Sequence, residues 1–118
     1  MRVRVTRQET YIPKWNGNDK LKADEQIRVT YKLMTAEQEE QWSTLYFRRD
    51  DDDFRMDVET HANAIWKECV VRVEGLRDEN DKPITKPEDV LKVPGIYGLV
   101  TEVVAQIKRG LTEQEIKN

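Results

Sequence analysis

Two stripes of apolar residues at helical spacing constrain what this chain can fold into. Val58, Ala62, Ile65, Trp66, Cys69, Val70 and Val73 recur at intervals of four and three, as do Ile96, Leu99, Val100, Val103, Val104 and Ile107. Either series puts its apolar side chains on one face of a 3.6-residue helix. The spacing therefore predicts amphipathic helices over Asp57 to Val73 and Ile96 to Arg109, the first opened by Asp57 and Glu59, whose charge suits a helix N-terminus. Hydrophobic residues are 37% of the 118 and charged ones 36%. That balance supports one modest core in a single domain, but not wholesale disorder.

Ahead of these stripes the period changes to two. Val3 and Val5 alternate with Arg2, Arg4 and Thr6, and Ile27, Val29 and Tyr31 alternate with Arg28, Thr30 and Lys32. Two half-buried strands, paired antiparallel, are expected. The excursion Arg7 to Gln26 between them carries Pro13 and the turn signal Asn16-Gly17-Asn18. Tyr11, Ile12 and Trp15 are its apolar anchors, so it should fold back onto the domain.

Thr35 and Gln38 have the spacing of a capping box, which predicts a helix running to about Phe47 with Trp42, Leu45 and Tyr46 on one stripe. Asp50 to Asp53 repel one another and predict an exposed loop held by Arg48, Arg49 and Arg55. Gly75 ends the Asp57 helix or begins an extended segment, and Arg77 to Thr85 suits a small second hairpin. Pro87 fits a first helical position, giving a short helix over Glu88 to Val93 that Pro94-Gly95 stops. Gly110 is the expected C-cap of the last long helix, and Thr112 with Glu115 suits one further turn. The expected class is α+β: a small N-terminal antiparallel sheet, residues 1–34, packed with three to four helices within 35–118.

Charge and composition exclude several functions. No run approaches the 18 apolar residues of a membrane span, and the start of the chain lacks the apolar core of a secretory signal, so a cytoplasmic location is expected. The net charge of -3 divides into about +4 over Met1 to Met34 and about -7 over the rest. Without a basic run, nucleic-acid binding is not expected. The opposition of charge can orient identical subunits, so self-association is a candidate.

The chemistry-bearing residues do not assemble into a reaction centre. His61 and Cys69 are the sole residues of their kinds, and eight helical positions separate them by about 12 Å. Cys69 reads as a small core residue and His61 as an interfacial or Asp57-paired imidazole. Ser43 is the one serine and lies in mid-helix, without a nucleophile elbow. Asp50 to Asp53 could attract a hard cation, but the spacing is not that of an EF-hand. No glycine pattern suits a nucleotide or other cofactor. The expectation is a protein that is not an enzyme and binds no cofactor or metal. Of the three tryptophans, Trp66 belongs to the core by its phase. Trp15, Trp42 and Tyr46, with Ile96, Tyr97 and Val100 at the head of the last stripe, are the candidate partner-binding residues, with core packing as the alternative.

Several short blocks point to a family. They are Tyr11-Ile12-Pro13-Lys14-Trp15-Asn16-Gly17-Asn18, Glu25-Gln26-Ile27-Arg28-Val29, Leu33-Met34-Thr35-Ala36-Glu37, Val93-Pro94-Gly95-Ile96-Tyr97 and the tail from Leu111-Thr112-Glu113 to Lys117-Asn118. Together they resemble the small tail assembly chaperones of long-tailed phages and prophages. The resemblance implies a non-enzymatic protein of the host cytoplasm, absent from the finished particle, that coats the long helical tape measure protein and yields to tail tube subunits. It also implies a longer form made by ribosomal frameshifting, for which Lys117-Asn118 permits the codons AAA AAC. Many members are mostly helical, whereas this chain opens with strands. The alternative function is a structural tail component, a tube or connector subunit.

Overall fold

A computed structural model of the chain describes residues 1–5, 7–42 and 61–109. Its elements are strand β1 (Gln8–Tyr11), a 3₁₀ segment (Trp15–Lys20), strand β2 (Arg28–Lys32), helix α1 (Ala36–Trp42), helix α2 (Ala62–Cys69), strand β3 (Val70–Glu74), a short helix α3 (Pro87–Val90) and helix α4 (Tyr97–Arg109). The strands form one antiparallel sheet in the order β1-β2-β3. The class is α+β.

The expected first strand is displaced. Val3 and Val5 are 79% and 94% exposed, and the strand that pairs with β2 is Gln8–Tyr11, in the register Gln8 to Lys32 and Tyr11 to Val29. Alternation made Val3 and Val5 suitable for a strand, but pairing goes to the segment whose side chains reach the core. Tyr11 packs against the buried cluster, while the two valines are exposed and are not part of it. The expected loop anchors divide similarly: Tyr11 and Trp15 pack on the core, and Ile12 is exposed.

The helix expected over Asp57 to Val73 also changes form within its span. In the described part it runs from Ala62 to Cys69, and Val70 turns to extended backbone and starts β3. Three valines among four residues favour this switch, because β-branched side chains lose rotamer freedom in a helix and pack well on a pleated sheet. The i, i+3 spacing of Val70 and Val73 came from a bulge. Thr30 pairs with Arg72 but Tyr31 pairs with Val70, so Val71 is the extra residue, and Val70 and Val73 both turn to the core. A bulged strand therefore carries a helical spacing. Asp57, Val58 and Glu59 lie outside the described residues.

Other expectations hold locally. Gln38 N–H donates to Thr35 Oγ1 at 3.1 Å and Thr35 N–H donates to Gln38 Oε1 at 3.0 Å, a reciprocal cap on α1. Pro87 opens α3, which ends at Val90 rather than at the expected Val93, and Arg77 bridges Pro83 antiparallel in the small second hairpin. Gly75 has φ +86°, and a Cβ there would overlap the Gln26 carbonyl, so the chain leaves β3 through a position that only glycine fills. The extension of α1 to Phe47, the loop of Asp50 to Asp53, the Gly110 cap and the Thr112 turn lie outside the described residues.

The core lies between one sheet face and two helices. Val29 and Tyr31 of β2 and Val70 and Val73 of β3 meet Ile65, Trp66 and Cys69 of α2 and Leu99, Val100, Val103, Val104 and Ile107 of α4, all buried. Trp66 is fully buried, and its Nε1–H donates to the Pro87 carbonyl at 2.8 Å, which docks the start of α3 on α2. Burial, then the neighbouring Glu68 carboxylate, push the Cys69 thiol up to about 11. Cys69 is thus the inert core residue its helical phase indicated.

Candidate interaction site

The described residues place two distant stretches of sequence side by side. Residues 11–18 form the end of β1 and a tight 3₁₀ turn, and they sit on the first turns of α4. The turn forms because Asn16 and Gly17 both take left-handed backbone, φ +50° and +75°. Asparagine and glycine tolerate that region at least cost. Asn18 then points inward and is 2% exposed. Its Nδ2 donates to the Pro13 carbonyl at 2.8 Å and to the Ile27 carbonyl at 3.1 Å, and its Oδ1 accepts from Ile27 N–H at 2.6 Å. One amide side chain thereby closes the loop on the strand that follows it, with every polar group used.

Glu102 on α4 fixes the loop from the other side. Its Oε2 accepts from the Tyr11 hydroxyl at 2.6 Å and from Lys14 N–H at 2.6 Å. Burial, followed by the hydrogen bond to Glu102 and its charge, holds the Tyr11 phenol well above the ordinary tyrosine range, so it remains a donor. One turn back, Gly98 leaves room for Trp15. A Cβ at Gly98 would stand 3.1 Å from Trp15 Nε1 and 3.2 Å from Cδ1, so the indole edge rests on helix backbone. Next to the seam residues Gly98 and Tyr11 in the chain, Tyr97 and Ile12 are exposed apolar side chains, at 49% and 39%.

The candidate partner-binding residues divide accordingly. Trp15 is half-buried at the seam and Tyr97 is exposed beside it. Ile96 and Val100 are 5% and 0% exposed, so they are corrected from surface to core: the face of α4 that carries them is filled by the sheet and α2. Trp42 is half-buried in a separate place. Its Nε1–H donates to Glu68 at 2.6 Å, its carbonyl accepts from Lys108 Nζ at 2.9 Å, and its ring lies 5.0 Å from the His61 imidazole. It joins α1 to α2 and α4. Tyr46 lies outside the described residues.

Sequence reading missed Asn18 and Glu102. The Asn-Gly-Asn turn signal was visible, but an inward amide differs from a solvated one only through the strand it meets. Glu102 interrupts the stripe of α4 at a position that reads as solvent-facing. Tyr11 and Lys14 hold it there, 91 and 88 positions away in sequence.

Among the described residues, no group of three His, Cys, Asp or Glu side chains could hold a metal ion, and no helix is long and apolar enough to cross a membrane. Ser43 and Asp50 to Asp53 lie outside the described residues. Compared with known protein families, with curated proteins and with solved structures, the chain matches none.

Proposed function

We propose that the chain is a tail assembly chaperone that binds the tape measure protein of a long-tailed phage or prophage in the host cytoplasm. The observation that carries the reading is that one of the blocks on which the resemblance rests, residues 11–18, packs on the helix turns that directly follow another, residues 93–97, at the seam where Trp15 lies on Gly98 and Glu102 holds Tyr11 and Lys14. A rigid ledge of this kind suits reversible capture of an amphipathic helix, because its side chains are held in place before binding.

Each apolar side chain fully covered contributes about 1.5–3 kcal/mol. Ile12 and Tyr97 together therefore favour weak, repeated contacts along a long helix. Tail tube subunits could displace such contacts as they polymerise, and a longer frameshifted form of the chain would present the same ledge. No catalytic step belongs to this reading.

The test is co-expression with the large coiled-coil protein encoded beside it. The expected result is that the coiled-coil protein stays soluble and co-purifies with the wild-type chain, and that Ile12→Arg with Tyr97→Arg abolishes both effects while leaving the fold intact. Equal solubility with and without the chain overturns the reading. Recovery of the chain in many copies from purified particles would make it a structural tail component instead.

A further inference from the structure

The two edges of the sheet are finished differently. On the β3 side, Val73 N–H donates to the Thr85 carbonyl at 3.0 Å and Ile84 N–H to the Leu76 carbonyl at 2.8 Å, so the segment after the hairpin covers that edge. On the other side β1 is the last strand, and among the described residues β2 is its only strand neighbour. It carries no proline or lysine to deter pairing.

A few residues before this edge lies a segment with the pattern of a strand that pairs with no strand among the described residues. Arg2-Val3-Arg4-Val5 alternates, and Val3 and Val5 are the most exposed valines described. The same molecule cannot easily join the two. Only Thr6 and Arg7 separate Val5 from Gln8, and a two-residue hairpin needs one or both central residues at positive φ. Threonine is β-branched and arginine carries a full side chain, so both oppose that backbone. The arm and the edge are complementary, yet the tether keeps them apart in one copy.

We propose that the arm Met1–Val5 pairs with the β1 edge of a second copy of this chain, the two copies exchanging arms reciprocally. A groove of about 830 Å³ lies beside the edge, lined by the arm, by Arg7, Gln8 and Glu9, and by Leu33, Met34 and Thr35, with the Arg7 charge answered by Glu9 at 2.7 Å. In the exchanged pair Val3 and Val5 of one copy cover half-buried Leu33 and Met34 of the other. Charge is complementary too: the arm brings Arg2 and Arg4, and α1, starting next to Thr35 at the rim, presents exposed Glu37, Glu39 and Glu40. Reciprocal exchange uses each edge once and closes at two. The inference is independent of the proposed chaperone role.

Sedimentation velocity of the full chain across a concentration series tests it. The expected species has twice the mass of one chain, and Val3→Asp with Val5→Asp weakens association at least tenfold. These side chains are exposed in the single molecule, so the urea midpoint of the dissociated variant should equal that of dissociated wild type. A second variant, Thr6→Asn with Arg7→Gly, supplies the turn that lets the arm fold onto its own edge. It should be monomeric, with arm amides protected from exchange. A wild-type chain of single mass at every concentration, or a dimer that persists in either variant, overturns the proposal.

Discussion

Replacing Asn18 by alanine tests how the loop over α4 is held. The side chain makes three hydrogen bonds in a site that is 2% exposed. Alanine leaves Ile27 N–H and the Pro13 and Ile27 carbonyls without these partners. A buried polar group left unpaired costs about 1–3 kcal/mol, with donors at the upper end because a carbonyl retains some capacity elsewhere. Assigning about 2 kcal/mol to the donor and about 1 to the two carbonyls together gives a loss near 3 kcal/mol. With an m-value of about 1.5 kcal/mol/M in urea, the midpoint should fall by about 2 M. Equilibrium unfolding followed by tryptophan fluorescence and by circular dichroism gives the shift. Asn18→Asp keeps the acceptor but turns both donor bonds into oxygen-to-oxygen contacts, and should cost at least as much at neutral pH. A shift below about 0.5 M for Asn18→Ala would refute the reasoning, since it would mean the loop closes without this amide.

Three further outcomes follow from other contacts. Gly75→Ala places a Cβ on the Gln26 carbonyl at positive φ and should cost about 2–4 kcal/mol, whereas Gly95→Ala, also at positive φ but in open space, should cost about 1 kcal/mol; thermal melts of the two variants compare them. Because the folded Tyr11 phenol titrates above its unfolded value near 10, its contribution is complete below about pH 10 and falls as the pH rises further. The gap in melting temperature between wild type and Tyr11→Phe should therefore narrow above that pH, and a constant gap would contradict a phenol held neutral by burial and by Glu102. Cys69, buried and with its thiol pushed up to about 11, should react with a thiol reagent at neutral pH only as fast as the protein unfolds, as measured by reaction rate against urea.

The parts of the fold that could be read from sequence were those decided within one element. The α4 stripe is buried as its period required, and the Thr35 cap forms because both of its partners lie within four residues. What failed depended on a partner from elsewhere. Val3 and Val5 have the alternation of a strand, but Gln8–Tyr11 takes the edge because Tyr11 reaches Glu102 across 91 positions. Val70 and Val73 have helical spacing only because Val71 bulges opposite the step between Thr30 and Tyr31. The candidate site was legible to the same degree. Trp15 and Tyr97 lie at the seam, while Ile96 and Val100 belong to the core, because hydrophobic period alone does not say which apolar residues at a helix start are left uncovered.

The central claim is that residues 12–21 and the first turn of α4 receive a partner helix. Amide hydrogen exchange of the full chain, alone and with the tape measure protein proposed as its partner, tests this most directly. The expected result is added protection confined to Ile12 through Leu21 and Ile96 through Thr101, with α2 unchanged. Unaltered exchange over both stretches in a mixture that has formed a complex would contradict the claim.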